Sequence, residues 1–226
     1  MPDDDLEDLD ELDDLEDLED LDDLDDLEDL DDLERVLGYR GAVDERTGIS
    51  ALGPDLVVVP FWTPRFCAAV VRAAGLVGFA PDPDDPVPGH EVSLAAISPR
   101  LYEAVQDDLG LRIWPQLRGV WPLVEYHGLR DAFVIRYALG EQEELRRHHD
   151  VAQVSGAVKL DDGYVGADLS FPRQGVDNRS VPVGALLAWP SLVTHPHETT
   201  PLVEGVRHGL TIWFELPMSG LHLDHP

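Results

Sequence analysis

Side chains that can bind a metal ion cluster in the second half of the 226-residue chain, within RRHHDVAQVSGAVKL. His148 and Asp150 are separated by one residue, and positions i and i+2 of a strand point to the same face. On a strand, both could point into a barrel while His149 points away. The pair therefore offers one imidazole nitrogen and one carboxylate oxygen at a common point.

A third ligand is available about fifty residues further along, in THPHETTPLVEGVRHGLTIWF, residues 194–214. His195 and His197 are both candidates, and the residues alone do not decide between them. Either would complete a face of two histidines and one carboxylate that leaves three adjacent coordination positions open. This arrangement is diagnostic of non-haem Fe(II) oxygenases.

In this segment the chain resembles the 2-oxoglutarate- and Fe(II)-dependent dioxygenases, in particular their prolyl and lysyl hydroxylase branch. In that family the distal histidine is followed by a proline four residues later, a glycine after eight, and an arginine or lysine after ten. Pro201, Gly205 and Arg207 stand at these places after His197, whereas no place matches when counting starts from His195. The resemblance therefore implies that His197 is the third ligand and that His195 lies beside the site.

The same resemblance implies a cosubstrate site. Arg207 would bind the distal carboxylate of 2-oxoglutarate, since a guanidinium forks onto a carboxylate and stays charged when buried. Tyr137, in RYALGEQEELRRHHD, would donate a hydrogen bond to it. We expect the strand that ends at His197 to be followed by a turn through PLVEG and by the Arg207 strand beside it. Gly209 stands where many relatives have a hydroxyl residue, so one cosubstrate contact is expected to be missing.

Two further segments resemble this family. DDGYVGADLSFPR is similar to its strand-turn-strand element, with Ala167 in place of a glycine, and VPVGALLAWPS is similar to the segment that leads to the distal histidine, with Trp189 where phenylalanine is commoner. Because Asp150 is present, the halogenating variant, which lacks that carboxylate, is excluded. The resemblance covers residues 132–216 well and residues 55–126 only in outline.

The elements that must position these residues follow from apolar patterning. DLVVVPFW (55–62) predicts a strand, and Thr63-Pro64 predicts the start of a helix that runs to about Phe79. A proline-rich loop over 81–88 precedes a helix from Ser98-Pro99 to Gly110, and a third helical stretch reaches about Tyr126. From Asp131 onward, short strand-like runs predict a sandwich or barrel. These runs are AFVIRYAL, VSGAVKL, ADLSF, GALLAW and GLTIWFEL.

The predicted fold is α+β with a mainly β core, namely a double-stranded β-helix (jelly-roll) barrel buttressed by N-terminal helices. We expect one domain over residues 35–226, with helical support over about 55–126 and the barrel over about 131–216. Residues 1–34 form an acidic low-complexity arm with a leucine at every third position from Leu6 to Leu33. That period places no apolar stripe on an α-helix, so the arm is expected to be disordered or an unpacked helix, or else a docking tail.

Charge and composition exclude several classes of function. Residues 1–35 carry 22 of the 46 acidic residues and one base, so the net charge of −30 is concentrated in the arm. Clustered Lys and Arg, which nucleic-acid binding requires, are absent from the sequence. A lone Cys67 gives no disulfide, and no apolar run is long enough to span a membrane. A cytoplasmic protein is expected, and the sequence does not indicate an oligomeric state.

The resemblance implies a hydroxylase that uses Fe(II), 2-oxoglutarate and O₂, with ascorbate as a candidate reductant. The expected substrate is a prolyl or lysyl side chain in a peptide or protein. A free amino acid or small metabolite is an alternative substrate. Three alternatives from other classes stay open. They are a non-catalytic jelly-roll binding module with an acidic interaction tail, a metal store, and a cupin-type enzyme without a cosubstrate. The last of these would not need Arg207.

Overall fold

The computed structural model describes residues 39, 42–44, 46, 48–81 and 89–216. The predicted acidic arm lies outside these residues, and so does the predicted proline-rich loop except for Pro81. In the described ranges, none of the helices has the length and apolar character needed to cross a membrane.

Helices occupy the first part of the described chain and strands dominate the rest. The helices are α1 (Pro64–Val77), α2 (Leu94–Ile97), α3 (Pro99–Asp108) and α4 (Trp114–Val120), with a π-helical turn at Leu109–Ile113. The strands are β1 (Ser50–Gly53), β2 (Leu56–Pro60), β3 (Ala80–Pro81), β4 (His90–Ser93), β5 (Leu129–Ala138), β6 (Leu145–His148), β7 (Val154–Lys159), β8 (Val165–Gly166), β9 (Leu169–Phe171), β10 (Val176–Asp177), β11 (Ala185–Pro190), β12 (His197–Thr199), β13 (Leu202–Glu204) and β14 (Val206–Phe214).

Two antiparallel sheets form the walls of the β core. The large sheet has eight strands in the order β1-β2-β11-β7-β14-β5-β4-β3, and the small sheet has four in the order β10-β9-β12-β6. β8 and β13 form a separate two-stranded sheet. Consecutive strands of the chain often lie in different sheets, as a jelly-roll requires, so the predicted mainly β fold with a jelly-roll barrel is confirmed.

β14, a central strand of the large sheet, directs alternate side chains to the two faces of the sheet. On β14, Leu210, Ile212 and Phe214 are buried in the main hydrophobic core together with the helices. The intervening Arg207 and Trp213 face the interior between the sheets, where they line a cavity. Alternation with period two thus gives one strand an apolar face for the helices and a chemically active face for the interior.

The predicted helix starts are correct, and the predicted helix ends are partly wrong. Thr63 caps α1 by accepting a hydrogen bond from Phe66 N at 3.3 Å, and Ser98 caps α3 by accepting from Leu101 N at 3.2 Å. Gly110 does not end the helix, which continues through the π-helical turn into α4 and stops at Val120, short of Tyr126.

Gly110 makes room for a neighbouring side chain and does not terminate the helix. A Cβ on Gly110 would lie 2.6 Å from Cε1 of Tyr126, so only glycine lets the tyrosine ring lie against the helix. The extra residue in the π-helical turn keeps Leu109 and Ile113 buried in the core that supports the large sheet.

Candidate active site

A cavity of about 360 Å³ lies between the two sheets and contains the chemically active side chains. Its walls come from the large sheet on one side and the small sheet on the other, so residues distant in sequence meet there. The residues used below are Tyr137, His148, Asp150, Trp189, His197, Thr199, Arg207, Thr211 and Trp213.

His148, Asp150 and His197 converge at one end of this cavity. His148 Nε2 lies 3.4 Å from Asp150 Oδ1, and His197 Nε2 lies 3.6 Å from Asp150 Oδ2. One potential ligand atom from each residue lies within 4.8 Å of the others, a spacing at which the three could bind a single ion. Of the four candidate residues in the two histidine pairs, His148 and His197 are the ones in this group.

Local structure brings the three together in a way that differs from the expected strand geometry. His148 is the last residue of β6 and His197 the first of β12, and the two are paired in register. Asp150 is not on the strand, contrary to the prediction, because β6 ends at His148 and the chain turns. The turn buries the Asp150 side chain, which is 3% exposed, while His149 stays exposed at the rim.

Backbone carbonyl groups orient both imidazole rings. Nδ1 of His148 lies 2.9 Å from the carbonyl oxygen of Arg146, and Nδ1 of His197 lies 3.0 Å from that of His195. A carbonyl oxygen can only accept, so each Nδ1 carries a proton and each ring directs its Nε2 toward Asp150. Two imidazole Nε2 atoms and a carboxylate that face one another are ligand atoms suited to a cation.

The pKa shifts reflect the same requirement. Burial opposes ionisation of Asp150, but hydrogen bonds from His148 and Ser155 and the nearby His197 hold its pKa below the ordinary value. Burial also opposes charge on His148, but its hydrogen bonds to Asp150 and to the Arg146 carbonyl raise its pKa overall. The more deeply buried His197 has a lowered pKa, mainly because burial disfavours its charged form. In the metal-free protein, His148 is thus the base that takes up a proton beside the carboxylate.

Arg207 lies on the opposite wall of the cavity, on β14. The prediction that its strand lies beside the one carrying His197 is wrong, since β12 belongs to the small sheet and β14 to the large sheet. The connection forms β13 and then crosses between the sheets. Arg207 and His197 consequently reach the cavity from facing walls, which leaves space for a small molecule between them.

The Arg207 guanidinium is buried and incompletely paired. The residue is 4% exposed, its Nη1 donates a long hydrogen bond of 3.5 Å to Thr199 Oγ1, and its Nε has no hydrogen-bond partner among the described residues. Its Cζ lies 4.9 Å from the centre of the Tyr137 ring, a cation–π contact. A buried guanidinium normally has an anionic partner, so this one is suited to an anionic ligand.

Tyr137 and Thr199 complete this end of the cavity. Tyr137 on β5 is directly paired with Arg207, and its hydroxyl accepts a hydrogen bond of 3.0 Å from Thr199 Oγ1. Burial raises the pKa of Tyr137, so its hydroxyl stays protonated and can donate to a ligand. Thr199 was not predicted from the sequence, although its place two residues after His197 on a strand is the signal that it shares the histidine's face.

Gly209 and Thr211 follow Arg207 on the same face of β14. A Cβ at Gly209 would lie 3.4 Å from Nη2 of Arg207, an ordinary van der Waals contact beside the guanidinium. The predicted loss of a hydroxyl at Gly209 is accompanied by hydroxyl groups at Thr199 and Thr211, which both line the cavity.

The side chains of His195 and Trp189 differ in their relation to His197. The His195 side chain is buried and turned away, with Nε2 3.2 Å from the carbonyl oxygen of Pro54 and Nδ1 3.0 Å from Thr194 Oγ1. The Trp189 ring lies 5.1 Å from the His197 ring at 69° and also contacts Phe171. The Trp189 contact restricts the orientation of the His197 ring.

Comparison with known proteins agrees with this arrangement. No family model matches the sequence. Procollagen-lysine,2-oxoglutarate 5-dioxygenase 1 of Mus musculus is 34% identical over 80 residues, which are 34% of this chain and 11% of that protein. The protein of the same name from Rattus norvegicus matches to the same extent. The match thus spans only about a tenth of the length of these curated relatives.

Solved structures are similar over most of the described chain. The viral collagen prolyl hydroxylase of Paramecium Bursaria Chlorella virus-1, in its 2OG complex, has a TM-score of 0.56 at 15% identity and covers 73% of this chain and 98% of that one. An oxidoreductase of the 2OG-Fe(II) oxygenase family from Burkholderia pseudomallei has a TM-score of 0.51 at 14% identity, covering 71% and 85%.

These comparisons define the class of fold. The chain has the fold of 2-oxoglutarate- and Fe(II)-dependent oxygenases, and the predicted resemblance to their prolyl and lysyl hydroxylase-like branch is confirmed.

Proposed function

We propose that the protein is a 2-oxoglutarate-dependent dioxygenase that hydroxylates an unactivated C–H bond. One observation carries the proposal: two imidazole Nε2 atoms and the Asp150 carboxylate face one point at one end of the cavity, and the buried, incompletely paired Arg207 lies on the facing wall. A metal ion and an anionic cosubstrate would satisfy both ends at once.

The residues of the triad fit Fe(II). Two imidazole nitrogens and one carboxylate oxygen form the donor set of the facial triad that binds non-haem Fe(II). His148, Asp150 and His197 would hold the ion, and the carbonyl groups at Nδ1 of each histidine would keep the rings in the ligating tautomer.

The opposite end fits 2-oxoglutarate. Its distal carboxylate would accept hydrogen bonds from Arg207, including from the unpartnered Nε, and from the Tyr137 hydroxyl. The second carboxylate and the keto group would then face the triad. No carboxylate among the described residues forms an ion pair with Arg207, so this pairing would remove the cost of burying its charge.

When bound together, Fe(II), 2-oxoglutarate and O₂ supply oxidative decarboxylation to succinate and CO₂, with one oxygen atom entering succinate and the other the hydroxylated product. The chain's own residues would bind and orient the cosubstrate and exclude water from the cavity. Arg207 and Tyr137 fix the cosubstrate, and the indole of Trp189 holds His197 in place. Phe133 and Trp213, whose ring centres are 5.1 Å apart, form an apolar wall where a substrate C–H could lie away from water.

We further propose a prolyl or lysyl side chain in a peptide or protein as the substrate. The support is the similarity to a procollagen-lysine dioxygenase in sequence and to a collagen prolyl hydroxylase in fold. A free amino acid is the alternative. The cavity of about 360 Å³ would have to hold both the cosubstrate and the reacting side chain, so a peptide would present a single residue to it from outside.

Succinate formation tests the function directly. Purified protein would be given Fe(II), ascorbate, 2-oxoglutarate and O₂ with a panel of prolyl peptides, lysyl peptides and free amino acids, and mass spectrometry would follow hydroxylation. We expect succinate and a product heavier by one oxygen atom with at least one peptide, and neither with the His197→Ala variant. Hydroxylation of free amino acids alone would favour the small-molecule alternative. Binding of metal without any succinate would favour the non-catalytic module.

A further inference from the structure

Two serine side chains form a buried hydrogen-bonded chain behind Asp150. Ser155 Oγ donates a hydrogen bond of 2.6 Å to Asp150 Oδ2, and Ser155 Oγ lies 2.6 Å from Ser191 Oγ. Ser155 is fully buried, and Ser191 and Asp150 are each 5% exposed. Short contacts between buried groups make this chain a fixed part of the structure and not a surface contact.

The direction of the hydrogen bonds follows from the inventory of donors. An ionised carboxylate only accepts, so the one hydroxyl proton of Ser155 is directed to Asp150. Ser155 then has only lone pairs left for Ser191, and Ser191 must donate. The hydrogen bonds therefore run from Ser191 through Ser155 to the carboxylate, and in the described part of the structure the Ser191 hydroxyl reaches that carboxylate through Ser155.

The residue after Ser191 binds the backbone of Asp150. Leu192 N donates a hydrogen bond of 3.1 Å to the carbonyl oxygen of Asp150, and Leu192 adopts a positive φ of 58°, which is unfavourable for a branched side chain. Ser191 and Leu192 follow β11 and begin the segment that leads to His197. Two consecutive residues thus hold Asp150: Leu192 binds its backbone, and Ser191 acts on its side chain through Ser155.

We propose that Ser155 and Ser191 are positioning residues that make Asp150 bind the metal through one carboxylate oxygen only. This inference rests on the metal site of the proposed function. Oδ1 lies 3.4 Å from His148 Nε2 and Oδ2 lies 3.6 Å from His197 Nε2, so both oxygens face the histidines. Because Oδ2 alone accepts the hydrogen bond from Ser155, Oδ1 is the oxygen left to be the ligand atom. Binding through both oxygens would fill a fourth of six positions and leave two, whereas the bidentate cosubstrate and O₂ together need three.

The hydrogen bonds from Ser191 through Ser155 to Asp150 form a relay, and four variants of it test this inference. They are Ser155→Ala, Ser155→Cys, Ser191→Ala and the double alanine variant. Ser155→Cys keeps the shape but has only a weak donor. Ser98→Ala is the matched control, because Ser98 is also a buried, hydrogen-bonded serine (2% exposed) but caps α3 in the helical part of the fold. Mn(II) and Co(II) affinities of the full chain would be measured by titration without cosubstrate or substrate. Visible spectra of the Co(II) forms would report coordination number.

We expect Ser155→Ala and Ser155→Cys to weaken metal affinity by about 10- to 100-fold, the size typical of lost partners behind metal ligands, and to change the Co(II) spectrum. Ser191→Ala should have a smaller effect in the same direction. The double variant should match Ser155→Ala, because Ser191 acts only through Ser155. Ser98→Ala should lower thermal stability and leave affinity and spectrum unchanged.

Wild-type protein separates the two levels of inference. If the wild-type chain binds neither metal ion, the proposed function itself is overturned. If it binds both, and the two Ser155 variants retain the wild-type affinity and Co(II) spectrum, the metal site stands and the positioning role is overturned. Additive effects of the two alanine substitutions would likewise contradict a relay through Ser155.

Discussion

His148 and His197 face each other directly across the antiparallel pair β6 and β12, with ring centres 4.4 Å apart. Residues opposite each other on one face of a sheet are the closest pairs that strands offer. Two short strands thereby bring together histidines that are about fifty residues apart in the sequence, and the turn after β6 adds Asp150. The proposed centre thus depends on the pairing of β6 with β12.

The first prediction tests His197. His197→Ala should abolish measurable Mn(II) binding and succinate formation, since one of three proposed ligands is lost. Circular dichroism should show the fold retained. His195→Ala is the matched control two residues away, because its ring is directed to Pro54 and Thr194 and not to Asp150. Loss of metal binding in the His195 variant with retention in the His197 variant would reverse the proposed assignment.

The second prediction concerns Arg207. Arg207→Ala should raise the KM for 2-oxoglutarate about 10- to 1000-fold, as expected when one or two hydrogen bonds from a charged group of about 1.5–3 kcal/mol each are lost. Arg207→Lys should have an intermediate effect, because it keeps the charge and loses the fork. Mn(II) affinity measured without cosubstrate should not change in either variant. A wild-type KM in Arg207→Ala would show that the carboxylate binds elsewhere.

The third prediction is a pH dependence of metal binding. Protons compete with a metal for the histidines, and His148 has a raised pKa, so it keeps its proton above the ordinary value of about 6.5. Affinity should therefore be greatest above the His148 pKa and fall as pH decreases through it, by about tenfold per pH unit. Asp150, with its lowered pKa, stays ionised throughout this range. Mn(II) titrations between pH 6 and 8 would measure the slope, and a flat profile would contradict it.

The third prediction extends to folding stability, because in the metal-free protein the same pKa shifts make the two histidines affect stability in opposite directions. The lowered pKa of His197 gives a contribution that is present above about pH 6.5 and is lost as pH falls through its folded-state value. The raised pKa of His148 gives one that is present below about pH 6.5 and is lost as pH rises through its folded-state value. Unfolding of His148→Ala should therefore show a greater gain of stability with pH over this window than unfolding of wild type.

The fourth prediction tests the support of His197 by Trp189. The Nε1 of Trp189 has no hydrogen-bond partner among the described residues, so phenylalanine would lose no hydrogen bond there. Trp189→Phe should cost about 1–2 kcal/mol of unfolding free energy and leave Mn(II) affinity within about twofold. Trp189→Ala should cost about 3–5 kcal/mol and weaken Mn(II) binding, because the His197 ring loses a wall. Denaturant unfolding and titration would compare the two variants, and equal Mn(II) affinities would remove Trp189 from the support of the site.

The strands that the sequence predicts are those with an apolar face. AFVIRYAL, VSGAVKL, ADLSF, GALLAW and GLTIWFEL correspond to β5, β7, β9, β11 and β14, which all contribute buried side chains to the hydrophobic core. In contrast, β6 (LRRH) and β12 (HET) are short and polar, and a period-two apolar pattern is absent from both. They are the strands that carry His148 and His197, so pattern-based prediction failed where the site is.

The spacing after the distal histidine gave a signal that patterning lacked. Pro201, Gly205 and Arg207 single out His197 over His195, and the structure brings His197 and not His195 to His148 and Asp150. The placement of Arg207 on the facing sheet could not be predicted, because a ten-residue spacing fits both a neighbouring strand and a crossing between sheets. Ser155 gave no signal either, since a serine in an apolar strand is common without any ligand to position.

The last prediction concerns the acidic arm, residues 1–34, which lies outside the described residues. Its leucines recur every three positions and provide no apolar face that could dock. Its many negative charges would repel one another if the arm were packed. We therefore predict that removal of residues 1–34 leaves turnover of 2-oxoglutarate with a small substrate unchanged. This truncation retains Tyr39, whose hydroxyl donates a hydrogen bond of 2.7 Å to Asp108 and so belongs to the folded part.

A competing hypothesis is that the arm attracts a basic protein substrate. Long-range attraction would raise kcat/KM for such a substrate at low salt and would be screened at high salt, since the Debye length falls to about 8 Å at 0.15 M. Steady-state kinetics of the full-length and truncated chains, with one basic and one neutral peptide at two salt concentrations, would distinguish the hypotheses. An effect confined to the basic peptide at low salt would establish steering. A loss of activity with both peptides at both salt concentrations would show that the arm contributes to the folded enzyme, because neither a passive nor a steering arm has that consequence.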